Sequence, residues 1–429
     1  MKLPGWTVKT SGVIAPNERL PWPQTFVVAL MNVFAFIGAT VVAPRIVGFP
    51  VSPVVFWTGV ATLIFLVVTQ GRVPSYLGSS FSFLAPIAAV TAYSGHGANL
   101  HMGAALGGII AAGVLYAAVG VVIMVVGYAW LVRLMPPVVT GGIVAAVGLN
   151  LAPAAVSDMS SDNFGITLGL LTTLGVALAA VYAPGLLRRI PILVGGVLGY
   201  LLYFIAANGF GWGTSIDFSP VSSAAWLGWP QATSPTFDIH DMTRFAPVVL
   251  ILMGENLGHV LAVGAITGRD LSKYIGRAFL GDGLGTILAG FRGGMGTTTY
   301  GENISTMGLS KVYSTAVYMV AAFIAIAIGL CPKFGAVVAT IPNPVIGGLS
   351  LVLFGMIAAI GARIWVDNKV DLSLNSNLIT VAVALTMGAG NFAITVNGFS
   401  VGGIGTAAIG AILVNVILTR AEGAITPAV

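Results

Sequence analysis

The chain has 429 residues, of which 57% are hydrophobic and only 7% charged, with a mean hydropathy of +0.98. About 25% of residues are charged in a soluble domain, so the composition excludes a soluble enzyme or binding module and places the chain in lipid. The net charge of +5 comes from basic residues scattered singly and in pairs between apolar stretches, which excludes a nucleic-acid surface; the lone Cys331 excludes an internal disulfide and a Cys-based metal site.

The first twenty residues lack the apolar run and small-residue cleavage site of a secretory signal, so the first hydrophobic stretch is expected to remain as a span. With about 20 apolar residues per span, stretches follow at 24–44, 51–70, 75–93, 103–130, 138–157, 164–187 and 191–210. A long polar connection, 211–244, separates them from stretches at 245–267, 275–290, 295–309, 312–331, 336–361, 376–395 and 401–419. The expected fold is therefore an all-α polytopic membrane protein of 14 transmembrane segments, seven in each half.

Alternating these segments puts only Arg45, Arg244, Arg292 and Lys333 of the 18 basic residues on the far side, while Lys2 and the others fall on the side of the N-terminus. That asymmetry places both termini in the cytoplasm. The connection 211–244 then lies outside; it carries Asp217, Asp238 and Asp241 against Arg244 alone.

The halves resemble each other. MPPVVTGGIVAAVGL at 135–149 aligns without gaps on IPNPVIGGLSLVLFG at 341–355, and Gly78-Ser79-Ser80 answers Gly296-Thr297-Thr298, at offsets of 206 and 218 positions. An odd number of spans per half makes the second half enter from the opposite side, the inverted repeat of many secondary transporters. The third and tenth stretches, SYLGSSFSFLAP and GGMGTTTYGENISTMG, are too polar and glycine-rich for uninterrupted lipid-facing helices. Broken backbone at membrane depth survives only where protein or a cavity satisfies it, so a binding site is expected between 78–83 and 296–303, with half-helix N-termini supplying free N–H groups.

Of the 13 acidic residues, Glu255, Asp282 and Glu302 fall inside apolar stretches. A charge at mid-bilayer costs about 2.5–3.5 kcal/mol even on the lenient insertion scale, so such residues mark substrate or proton pathways. Glu255 and His259 are four apart, hence on one helix face and able to share a hydrogen bond. An enzyme would need a nucleophile or metal constellation, and no HExxH, GxSxG or clustered Cys/His ligands are read along the chain.

At ENLGH (255–259), TTYGEN (298–303) and SYLGSSFSF (75–83), with GRVPSYLGSS and RLMPPVVTGG, the chain resembles the nucleobase-ascorbate transporter family over nearly its whole length, its bacterial uracil and pyrimidine permeases most of all. The resemblance implies two inverted seven-segment repeats with short antiparallel strands in segments three and ten. It implies a core domain (24–130 and 245–331) and a gate domain (131–210 and 332–420), flanking the external connection, and a homodimer. It also implies alternating access and proton-coupled uptake across the inner membrane without a cofactor. Glu255 and Glu302 would bind the base and Phe81 and Tyr300 would flank its ring. The N–H groups of Phe81 and Gly301 would donate to it, His259 would support Glu255, and Asp282 would support the proton path. Uracil offers two ring N–H donors and two carbonyls, which carboxylates can meet, the protonated form also donating. Burial and a second carboxylate disfavour the charged form, so one glutamate is expected to hold a proton with substrate bound.

Some positions depart from the family pattern: Ser305 stands for a glycine, Met31-Asn32 for a Gln-His pair, and Phe354 for a gate tyrosine of some uracil carriers. They leave open a purine permease specific for xanthine or uric acid. An anion carrier of the same fold is the more distant alternative.

Overall fold

The computed structural model describes residues 5–93, 95, 97–160, 162–185, 187–396 and 399–425. Lys2, counted above among the cytoplasmic basic residues, lies outside them. The first half contains α1 (Trp22–Ile46), α2 (Val51–Val68), the strand β1 (Leu77–Ser79), α3 (Leu84–Thr91), α4 (Met102–Val126), α5 (Pro137–Met159), α6 (Asn163–Tyr182) and α7 (Pro191–Phe204). The second contains α8 (Ala246–Thr267), α9 (Ile275–Phe291), β2 (Thr297–Thr299), α10 (Gly301–Ser310), α11 (Thr315–Gly329), α12 (Asn343–Asp367) and α13 (Asn375–Ala389). A hairpin, β3 (Ile394–Val396) with β4 (Phe399–Val401), then leads into α14 (Gly403–Ile425). Among the described residues, eight helices are long and apolar enough to cross a membrane.

Helix pairing repeats across the two halves. α2 packs on α11 as α9 packs on α4, α1 on α11 as α8 on α4, and α5 on α13 as α12 on α6. The pair α5–α12 is its own counterpart under this exchange and is among the most extensive contacts in the molecule. These two helices run antiparallel at small residues: a methyl on Gly141 would strike Gly361, one on Gly148 would strike Ala358, and one on Gly347 would strike Ala155. Small residues let backbones approach where lipid supplies no hydrophobic force between helices, and this explains why the Gly-Gly pair recurs in both repeats.

Two groups of helices emerge, α1–α4 with α8–α11 and α5–α7 with α12–α14, which touch chiefly through α1 and α8. The strand pair lies inside the first group, packed on α1, α2, α8 and α9. β1 and β2 are antiparallel, with Gly78 opposite Thr298. Their outward N–H groups have no water at this depth and are met by side chains: Leu77 N–H donates to Thr62 of α2, Thr297 N–H to Thr286 of α9, and Thr299 N–H to Asn256 of α8.

Several boundaries differ from the sequence reading, and two of the differences break a stretch. The stretch 103–130 ends its helix at Val126, because Gly127 adopts φ +89° and a separate short helix, Ala129–Leu134, follows. The stretch 336–361 is split: Pro332–Ala339 bends by 76° from α11, and α12 starts only after Pro342. The connection 211–244 is held by backbone bonds from Thr236 N–H to Gly103 and from Gly228 N–H to Leu330. One motif needs correction, since GFSVG at 398–402 does match a lone GxSxG pattern. Ser400, however, lies in hairpin strand β4, accepting from the Thr395 hydroxyl at 3.1 Å, rather than on the strand-to-helix turn that exposes a nucleophile.

Candidate functional site

The site is built where two short helices start at the ends of the paired strands. After β1 the chain turns through Ser80, whose hydroxyl caps the Ser82 N–H, into a 3-10 turn at Phe81–Phe83 and then α3. After β2 it passes Tyr300 in extended conformation and enters α10 at Gly301. A helix start leaves its first N–H groups without internal partners, and both starts lie against α8, which carries Glu255 and His259.

Phe81, Glu255, His259, Gly301 and Glu302 are half-buried, whereas Asp282 is wholly buried. Glu255 is within electrostatic reach of both Glu302 and Asp282. His259 Nε2 lies beside Gly301, 3.3 Å from where a β-carbon there would sit. Phe81 meets Phe354 of α12 edge to face, so an aromatic wall spans the two helix groups. The tertiary structure thus brings Phe81, Glu255, His259, Gly301 and Glu302 to one place.

Tyr300 takes a different position from the one expected. It is 4% exposed, its ring lies over Gly78, and its hydroxyl donates to the Ser79 carbonyl at 2.9 Å and accepts from Thr40 at 3.3 Å. It braces the strand pair from behind. His259 likewise does not pair with Glu255 along the helix; its Nδ1 is 2.9 Å from the Thr299 hydroxyl. Asp282 sits behind the site with both oxygens engaged: Thr297 donates to Oδ1 at 2.6 Å and Asn256 to Oδ2 at 2.7 Å.

The departures from the family pattern find explanations. Asn32 is buried and accepts from Asn303 Nδ2 at 3.0 Å, so it still anchors the start of α10 in the absence of the Gln-His pair. Ser305 is exposed, so its extra atoms cost no close packing. Asn256, Tyr116 and Thr299 were missed by sequence reasoning. A buried asparagine next to Glu255 and a run of three threonines in a broken span were the available signals, because amides and hydroxyls in lipid need partners as acids do. Among the described residues no group of His, Cys, Asp and Glu could hold a metal ion.

Residues 23–397 match the model of a family described as a permease family. The chain belongs to that family. It is 51% identical over 421 residues to a protein of Escherichia coli (strain K12) named as a pyrimidine permease, RutG, covering 97% of this chain and 95% of that one. It is 37% identical to the uracil permease of Bacillus caldolyticus over 421 residues, covering 95% and 94%. Among solved structures, the transmembrane domain of the cyanobacterial bicarbonate transporter BicA aligns with a TM-score of 0.59 at 13% identity, covering 91% of this chain and 96% of that one. The murine anion transporter Slc26a9 in its inward-facing state aligns at 0.67 and 8%, covering 93% and 68%. These two likenesses establish the fold. Together with the apolar helices, the family membership makes this chain a permease and a multi-pass membrane protein.

Proposed function

We propose that this permease is a proton-coupled symporter that imports uracil or a related pyrimidine across the cytoplasmic membrane. The observation that carries the reading is the convergence of Glu255, Glu302 and the Phe81 ring on two opposed helix starts, in a chain whose relatives are named uracil and pyrimidine permeases. Phe81 covers the ring face, Glu255 and Glu302 take the ring N–H groups, and the first N–H groups of the two short helices meet the carbonyls. Tyr300 acts from behind, holding the strands. Asp282 acts at one remove from the site, through the asparagine beside Glu255.

In this reading the chain crosses the membrane 14 times with both termini inside, and the group holding α1–α4 and α8–α11 is the core that carries substrate past a gate. It works as a homodimer in the inner membrane, with the proton as coupling ion and no cofactor. A membrane potential supplies about 2.3 kcal/mol per 100 mV per charge, so one proton supports roughly fifty-fold accumulation.

An anion is disfavoured at this site because two facing glutamates would repel it. A xanthine or uric acid permease is the nearer rival. The deciding experiment is uptake of labelled uracil into proteoliposomes under an inward proton gradient, with and without excess unlabelled xanthine. Gradient-dependent uptake that xanthine leaves intact is expected. Folded protein that fails to accumulate uracil, or whose uptake xanthine abolishes, would overturn the pyrimidine assignment.

A further inference from the structure

Behind the candidate site runs a buried chain of hydrogen bonds whose donors and acceptors can be assigned one by one. It starts at Asn256, which is wholly buried on α8. The Asn256 amide nitrogen faces the Tyr116 hydroxyl of α4 and Asp282 Oδ2 of α9, and its oxygen faces both the N–H and the hydroxyl of Thr299 in β2. A primary amide has two donor hydrogens and two acceptor lone pairs, so all four are engaged. The orientation of the amide is not free. The Thr299 backbone N–H can only donate, and it points at the amide oxygen at 3.3 Å; turning the amide over would set N–H against N–H whether or not Asp282 is charged. Tyr116 fits the same assignment, accepting from Asn256 and donating to the Leu252 carbonyl.

The consequence passes along β2. An amide oxygen cannot donate, so the Thr299 hydroxyl must give its single proton to Asn256. The same hydroxyl is 2.9 Å from His259 Nδ1 and has only lone pairs left for that contact. The ring must therefore carry its proton on Nδ1 and donate it to Thr299. The neutral ring then has a bare Nε2, and Nε2 is the atom that lies beside Gly301 at the start of α10.

We propose that Asn256 and Thr299 are positioning residues that hold neutral His259 as its Nδ1–H tautomer and so present Nε2 to the site as a hydrogen-bond acceptor. This inference rests on the site described above but not on which base it takes. A ligand bearing a ring N–H, or a protonated carboxyl, is complementary to that lone pair. A ligand offering only acceptors is not. In free imidazole side chains the two tautomers exchange, and the hydrogen-bond partner of one nitrogen decides what the other can do. Here that partner is a threonine hydroxyl polarised by a buried amide.

The test is two-dimensional ¹H–¹⁵N spectroscopy of the full chain in detergent micelles, with ¹⁵N in its histidine rings, at a pH where His259 is neutral. The sequence has 4 histidines, and a His259→Gln sample identifies the signals of interest. The expected wild-type pattern is a protonated Nδ1 and an unprotonated Nε2. An Nε2–H pattern, or an even mixture, would overturn the inference without any variant being needed. Thr299→Val removes the acceptor hydroxyl while keeping shape and backbone N–H, and should release His259 to a mixture or to Nε2–H. Thr299→Ser should restore the wild-type pattern. An unchanged pattern in a folded Thr299→Val protein would remove Thr299 from the role. Binding of uracil is measured on the same samples, and Thr299→Val should weaken it about tenfold, as for the loss of one well-made hydrogen bond. A wild-type protein with the Nδ1–H pattern that does not bind uracil would leave the tautomer assignment standing and refute the choice of substrate.

Discussion

Phe81 and Phe354 meet edge to face, with ring centroids 5.9 Å apart and planes at 83°. Phe81 follows β1 in the helix group that holds the carboxylates, and Phe354 lies on α12 in the other group, 1% exposed. One aromatic contact thus joins the site to the face against which it would have to move. Such pairs contribute about 0.5–1.5 kcal/mol beyond their burial. A double-mutant cycle on Phe81→Ala and Phe354→Ala, read in uracil binding, is expected to show coupling of that size; strictly additive single variants would show that the two rings act independently.

Glu255→Gln keeps the shape of the side chain and removes its capacity to exchange a proton. A folded protein that still exchanges labelled for unlabelled base across the liposome membrane, but whose gradient-driven accumulation drops from roughly fifty-fold to unity, is expected. Proton-driven accumulation by this variant would place the coupling proton elsewhere.

Glu302→Gln exchanges an acceptor for a group that both donates and accepts, at the start of α10. The ratio of uracil to xanthine competition should change by about tenfold, the consequence of one hydrogen bond made or lost. An unchanged competition profile would separate Glu302 from the bound base.

Gly78 has no positive φ to require glycine; it is required by the Tyr300 ring, which a β-carbon there would overlap. Gly78→Ala should therefore lower the melting temperature and abolish binding by forcing β1 and β2 apart. Adding Tyr300→Ala should recover much of the stability, because the obstruction is gone. A single Gly78→Ala protein that melts and binds like wild type would contradict the packing of the strand pair.

The segment before α1 should respond to acid. Glu18 accepts from the Ala15 N–H at 2.9 Å and pairs with Lys9 at 3.2 Å, and the Ala15 bond above all holds its pKa below the usual glutamate value. A depressed folded pKa means that the stabilisation is complete above the unfolded value, about 4.3, and is lost as pH falls through the folded one. Hydrogen exchange of residues 13–18, corrected for its intrinsic pH dependence, should show protection falling below about pH 4, with Glu18→Gln lowering it already at pH 7. Protection that is equal in the two proteins would show that the carboxylate does not hold this segment.

The membrane class and the segments that carry the candidate site were legible because both are one-dimensional signals. Glu255, Glu302 and His259 stand out against apolar neighbours, and the glycine and threonine runs at 78–80 and 296–299 cannot continue a lipid-facing helix. Partner choice was not legible. The i,i+4 spacing of Glu255 and His259 suggested a bond within α8, yet the neighbouring strand β2 brings the Thr299 hydroxyl to 2.9 Å from His259 Nδ1. The family resemblance implied that Tyr300 would flank the base, but extended backbone alternates its side chains, and its ring turned inward onto Gly78.

The sequence by itself determined that this protein lives in lipid, that its two halves repeat, and that its candidate site is sought where the apolar stretches break, since hydrophobic free energy and the cost of a charge in hydrocarbon depend on residue type and run length alone. Only the tertiary structure decided that Asn256 joins Asp282 to Thr299, that Thr299 sets the tautomer of His259, and that Asn32 anchors Asn303. A hydrogen bond depends on a few tenths of an ångström between segments distant in the chain, and that distance exists only once the helices have packed.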